Sequence, residues 1–187
     1  MKVMVPLAQG LEEIEAVTII DVLRRAGLTV HTASLEPGPV EGSHGITLEA
    51  DYTLSELKAS DYECLALPGG MPGSENLSKS AALADWIRDI HGRGGYLAAV
   101  CAAPMVLGGA GVLKGRTVTC YPGFETYCTG AAITGAPVEV DGAIEISHLE
   151  MDVADAGSRR YRRLQVGHDA CFLSRVGRRS SAISRMY

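Results

Sequence analysis

Apolar and polar positions along this chain switch repeatedly between a repeat of about two and a repeat of about 3.6 residues, and the switches alternate. "KVMVPLA" (2 to 8) is a short apolar run before Gly10. "LEEIEAVTIIDVLRRAG" (11 to 27) follows with helical spacing, acidic residues in its first turn, Arg24 and Arg25 in its last, and a terminal glycine. The pattern predicts a strand, then a helix. "LTVHTASL" (28 to 35) alternates as a strand, "GSHGITLEADYTL" (42 to 54) reads as a small hairpin or crossing segment, and "YECLALPGG" (62 to 70) is an apolar strand ending in glycines. "SAALADWIRDIHGRGG" (80 to 95) predicts a capped amphipathic helix with a glycine stop. "YLAAV" (96 to 100) is then a strand, "APMVLGGAGVL" (103 to 113) a helix, and "RTVTCYPG" (116 to 123) and "APVEVDG" (136 to 142) short strands.

Strands alternating with helices imply an α/β fold, with a mostly parallel sheet covered on both faces and right-handed crossovers. Ligands of such sheets gather beyond the carboxyl ends of the strands. Three segments end there with unusual residues: the start of the first helix near Glu15, the "LPGGMPG" loop (67 to 73), and Cys101.

Cys101 directly follows "YLAAV" and precedes a helix whose first turn carries Pro104. A strand-to-helix turn exposes its side chain at the sheet rim and points the following amides inward, as in a nucleophile elbow, and Ala99, Ala102 and Ala103 leave room for it. A helix N-terminus also lowers a thiol pKa. A buried cysteine acting as a small apolar residue fits the same position. Position alone leaves both readings open. The "LPGGMPG" loop can bring backbone amides to a ligand as an oxyanion site, or it can be a plain tight turn; it lacks the glycine patterns of nucleotide phosphate sites.

Spacing reads Glu15, Thr18 and Asp21 as an ordinary solvated stripe. The rest of that helix is apolar nearly all round, which suggests that a second copy of the chain covers part of it. His31, His44, His91, His148 and His168 read as surface or loop residues, and Cys64, Cys120 and Cys128 as structural, with Cys120 and Cys128 flanking a loop near the sheet edge.

At 187 residues and 47% hydrophobic content the chain is one domain, or one domain plus a tail, with enough apolar material for a core. No apolar run approaches the roughly 18 residues of a membrane span, and the opening stretch turns acidic too soon for a signal peptide, so the expected address is cytoplasmic. Five cysteines without CxxC or metal-ligand spacing argue for reduced thiols, against a disulfide framework and against a metal site. The net charge of −5 is uneven: residues 1 to 143 carry 9 basic and 17 acidic side chains, residues 144 to 187 carry 8 and 5.

Taken in order, "GLEEIEAVTIIDVLRRAG", "LALPGGMPGSENL", "AAVCAAPMVL" and "VTCYPGFE" resemble the ThiJ/PfpI superfamily, in its branch of the Parkinsonism-associated deglycase and its bacterial relatives. The resemblance covers residues 1 to 142. It implies a flavodoxin-like three-layer sandwich, like that of class I glutamine amidotransferases, and a homodimer built through the first helix. It also implies a nucleophilic Cys101 beside a protonated Glu15, which displaces the stripe reading of Glu15. Gly69, Gly70, Ala102 and Tyr121 would line the pocket or its oxyanion site. Tyr121 stands where many members carry a histidine, and Ala102 stands where the protease-like branch carries one, which argues against peptide hydrolysis.

The implied reaction is cofactor-independent: Cys101 adds to a reactive aldehyde such as methylglyoxal, or to its glycated adduct, in the manner of a glyoxalase III or protein deglycase. Alternatives are a cysteine-based oxidative-stress sensor or chaperone-like protein, and an inactive product. The last arises because residues 144 to 187, "AIEISHLEMDVADAGSRRYRRLQVGHDACFLSRVGRRSSAISRMY" with its preceding alanine, lack the Ser-Arg-Gly-Pro-Gly type loop and long helix with which the family continues. The expectation is a divergent basic tail from residue 144, poorly packed, either out of frame or a genuine extension that binds RNA or acidic partners. Binding to nucleic acid or membrane is not expected of the domain itself.

Overall fold

The computed structural model describes residues 1–148. β1 (Lys2–Leu7) leads into α1 (Glu13–Arg25), which Gly27 ends in a left-handed turn (φ 77°), and β2 (Thr29–Ser34) follows. The segment expected as a hairpin or crossing does both: β3 (Val40–Glu41) and β4 (Thr47–Leu48) pair as a small hairpin, and β5 (Tyr52–Thr53) joins the edge of the main sheet. Next come β6 (Cys64–Leu67), α2 (Gly73–Lys79), α3 (Ala81–Gly92), β7 (Tyr96–Val100) and α4 (Pro104–Gly109). Ser80 caps α3 by accepting from the Leu83 amide at 3.2 Å. Last are β8 (Thr117–Val118), β9 (Ala132–Ile133), β10 (Val138–Asp141) and β11 (Ile144–Ser147).

Seven strands form one sheet in the order β10-β11-β7-β6-β1-β2-β5, with every neighbouring pair parallel except β10–β11. Alternation along the central strands sorts the core into two layers. Val3, Val5, Leu7, Cys64 and Ala66 pack toward Ala16 and Leu23 of α1, whereas Met4, Leu65, Leu67, Leu97 and Ala99 pack toward Leu83, Ile87 and Ile90 of α3 and Val106 and Leu107 of α4. The result is a three-layer α/β sandwich, with the mostly parallel sheet that the alternation of periods predicts and the flavodoxin-like type that the resemblance implies.

Three differences from the sequence reading bear on function. First, "SENLSK" forms α2, which the loop signals of Pro72 and Gly73 conceal. Second, "RTVTCYPG" contributes two residues to a separate parallel pair with β9, outside the main sheet. Third, the domain does not stop at residue 143. Ile144–Ser147 is an interior strand, parallel to β7 and antiparallel to β10, and Ile144 and Ile146 are 1% exposed. Burying two such side chains is worth about 1.5–3 kcal/mol each. Four residues read as the start of a poorly packed tail are therefore a paired strand with two of its side chains in the core; the rest of that tail, from residue 149, lies outside the described residues. Among the described residues α1 is the helix on its face of the sheet, and beyond its reach Tyr96 and Ala98 of β7 and Glu145 of β11 are only half-buried.

Candidate active site

Cys101 sits at the turn between β7 and α4, and among the described residues it is the non-glycine residue with positive φ, 57°. A side chain held in that left-handed region costs of order 1–3 kcal/mol, so the surrounding contacts must hold it there. Two do so directly: its amide donates to the Ser147 carbonyl at the end of β11 (2.9 Å), and its carbonyl accepts from the Tyr121 amide (2.9 Å). The strand beyond the expected boundary is thus part of the scaffold of the site. No signal in the sequence links Ser147 to Cys101, because the bond joins backbone atoms across a register set only by the sheet.

Glu15 lies in the first turn of α1 and is 7% exposed, while Asp21 on the same expected stripe stays in solvent. The difference comes from the loop after β6, which folds over the start of α1: the Glu12 amide donates to the Gly69 carbonyl (3.0 Å), and the Gly69 amide donates to Glu15 Oε2 (2.8 Å). Glycine is required there by contact. A Cβ on Gly69 would stand 2.6 Å from Glu15 Oε2 and 2.9 Å from Cys101 Cβ, and one on Gly70 (φ 91°) would collide with the Glu12 amide nitrogen.

The structure brings Glu15 and Cys101 into hydrogen-bonding contact, with the Gly70 and Ala102 amides directed at the sulfur. Of the residues expected at the pocket, Glu15, Gly69, Gly70, Cys101 and Ala102 converge. Tyr121 reaches Cys101 through its backbone; its ring is 40% exposed and meets Phe124 edge-on at 6.2 Å.

Burial pushes the Glu15 carboxyl up to about 7, opposed by the Gly69 amide and the Cys101 thiol. The thiol also moves up, to about 12, first through burial and then through the charge of the Glu15 carboxylate, with the Ala102 and Gly70 amides pulling the other way. This is opposite to the lowered thiol pKa expected from a helix N-terminus. α4 has six residues, and its dipole does not outweigh desolvation. The Glu15–Cys101 pair consequently works as a unit that shares its protons. A thiolate beside a carboxylate is disfavoured, whereas a thiolate beside a carboxylic acid keeps one negative charge, hydrogen-bonded by the acid and two amides.

A neighbouring feature escaped sequence reasoning. Glu13, 4% exposed, accepts from the His44 amide (2.7 Å) and the Ile46 amide (3.2 Å), and its Oε2 lies 3.1 Å from His44 Nδ1. These bonds, with burial opposing them, bring its carboxyl down to about 2. The hairpin of β3 and β4 is thereby fastened to the first turn of α1, two residues from Glu15.

The sequence profile of the DJ-1/PfpI family matches residues 1–151. The chain belongs to the DJ-1/PfpI family. Protein DJ-1 homolog B of Arabidopsis thaliana is 41% identical over 149 residues, which are 78% of this chain and 34% of the plant protein, so the chain spans about a third of that relative's length. A deglycase of Pyrococcus horikoshii is 32% identical over 156 residues, 82% of this chain and 93% of the relative. Among solved structures, oxidised DJ-1 of Toxoplasma gondii superposes with a TM-score of 0.74 at 41% identity, covering 79% of this chain and 82% of the other. DJ-1beta of Drosophila melanogaster superposes at 0.75 with 36% identity, covering 79% and 81%. Membership in the DJ-1/PfpI family accounts for the layered sheet and for the order of the four motifs. Among the described residues no helix is long and apolar enough to cross a membrane.

Proposed function

We propose that this DJ-1/PfpI protein is a cysteine-dependent, cofactor-free enzyme acting on small reactive aldehydes such as methylglyoxal or their early adducts, in the manner of a glyoxalase or deglycase. The observation that carries the reading is the buried carboxyl of Glu15, in contact with the Cys101 sulfur and raised by burial to about 7. A group poised near neutrality can both take and return a proton. As the sulfur attacks the aldehyde carbon, its proton passes to Glu15 and on to the carbonyl oxygen, giving a hemithioacetal. Glu15, again a carboxylate, removes the hydrogen from that carbon to form an enediol and returns it to the adjacent carbon, which leaves a thioester. Water hydrolyses the thioester to a hydroxy acid and restores the thiol. The Gly70 and Ala102 amides, directed at the sulfur, line the wall where an oxyanion develops.

Cys101→Ala is expected to abolish methylglyoxal turnover, followed by lactate formation, while keeping the far-ultraviolet circular dichroism of the parent. Unchanged turnover would remove this site from the chemistry. A second reading is favoured by the same donors: a carboxylic acid and two amides around one sulfur suit an oxidised sulfinate as well as a thiolate, as in an oxidative-stress sensor. Selective oxidation of Cys101 by dilute peroxide in a protein that turns over no aldehyde would favour it. The domain is also proposed to act as a homodimer through α1, where Ile14 (41%) and Val17 (48%) stay exposed near Ile46 of the fastened hairpin (57%).

A further inference from the structure

Beyond Cys101, two more thiols meet. Cys120 and Cys128 lie on the segment that follows β8, 4% and 2% exposed, and their sulfurs share a hydrogen bond. Between them runs a lip in which Tyr121, Pro122, Gly123, Glu125, Thr126 and Tyr127 are exposed, closed by single turns: Phe124 to Tyr121, Tyr127 to Phe124 and Cys128 to Glu125, each 3.1 Å. The Cys128 thiol also makes a weak contact, 4.0 Å from the Phe124 carbonyl. Two cysteines eight positions apart suggest no pairing by spacing; the turn at Glu125–Tyr127 folds them together.

We propose that Cys120 and Cys128 form a reversible intramolecular disulfide on exposure to hydroperoxides, a redox site separate from Cys101. The Cys120 thiolate attacks a peroxide oxygen, the O–O bond breaks, and hydroxide leaves as water with one thiol proton, giving a sulfenic acid. The Cys128 sulfur then attacks the oxidised sulfur, the S–O bond breaks, and a second water leaves with the remaining proton. Two thiols are oxidised by two electrons and one peroxide is reduced. Burial raises both thiols, but the hydrogen bond from Cys128 works against it at Cys120, whereas the neighbouring sulfur adds to it at Cys128, so Cys120 reacts first. Burial keeps both thiols protonated at rest, so oxidation follows local opening of the lip. The bond would fasten both ends of the segment whose Tyr121 amide holds the Cys101 carbonyl, and so would tie the wall of the aldehyde pocket to the oxidation state of a second pair.

The test is mass spectrometry on the full chain and does not depend on aldehyde turnover. Protein treated with hydrogen peroxide sufficient to oxidise free glutathione completely is denatured in iodoacetamide and cut after arginine, lysine and glutamate. Arg116, Glu125 and Glu139 place the two cysteines on separate fragments, 117–125 and 126–139. At least half of these fragments should be recovered as one species lighter by two hydrogens than their sum, split by dithiothreitol, and equally abundant in Cys101→Ala. Alkyl groups on both cysteines after peroxide, a sulfinate on Cys120, or a link from Cys120 to Cys101 would each overturn the proposal.

Discussion

Replacing Glu15 with glutamine separates what its side chain does for the fold from what its charge does for chemistry. Glutamine retains the shape: its oxygen can accept from the Gly69 amide, 2.8 Å from Glu15 Oε2, and its amide can donate to the Cys101 sulfur. What disappears is a carboxyl whose pKa rises from 4.5 to about 7 on folding. A carboxyl raised on folding binds its proton more tightly in the native state. Its effect is neutral below 4.5, and as pH climbs through the window from 4.5 to about 7 it destabilises the fold progressively. The full difference is about 3 kcal/mol, at 1.4 kcal/mol per tenfold. Urea or thermal unfolding should therefore show Glu15→Gln within about 1 kcal/mol of the parent at pH 4. At pH 8.5 it should be more stable by about 3 kcal/mol, or about 6–12 °C in Tm for a chain of this size. The same variant removes the carboxylate charge that holds the Cys101 thiol up, so its alkylation by iodoacetamide should quicken at pH 8 while methylglyoxal turnover is lost. An equal stability offset at both pH values would refute the reasoning, because a merely altered contact carries no proton linkage.

Other outcomes follow from the same geometry. Gly69→Ala places a Cβ 2.6 Å from Glu15 Oε2, and a calorimetric scan should show about 1–3 kcal/mol of destabilisation together with lost turnover. Cys101→Gly relieves a left-handed φ of 57° and should raise stability in urea by about 1 kcal/mol while abolishing activity; a fall in stability would mean that the thiol's packing outweighs the backbone cost. Val17→Glu adds a charge to the exposed face of α1, and sedimentation should show a monomer for this variant and a dimer for the parent.

The alternation of periods was enough to read the α/β class, the first helix with its charged ends and the capped third helix, because amphipathic spacing and end signals act within one or two turns of chain. The same local logic made Cys101 a candidate, since a cysteine between a strand and a proline-bearing helix start is visible in twelve residues. Glu15 was not legible by pattern: its neighbours spell a solvated stripe, and only the order of four family motifs singled it out. Folding decided its chemistry, since burial under the Gly69–Gly70 loop depends on a strand and a helix that lie more than fifty residues apart. The same holds for β11, which the lost family motifs and the basic charge had assigned to a tail; its four residues became a strand, and Ile144 and Ile146 core, because β7 and β10 were there to pair with them. Short-range signals specify elements, whereas desolvation, proton sharing and the Cys120–Cys128 contact arise between elements and exist only once the layers close.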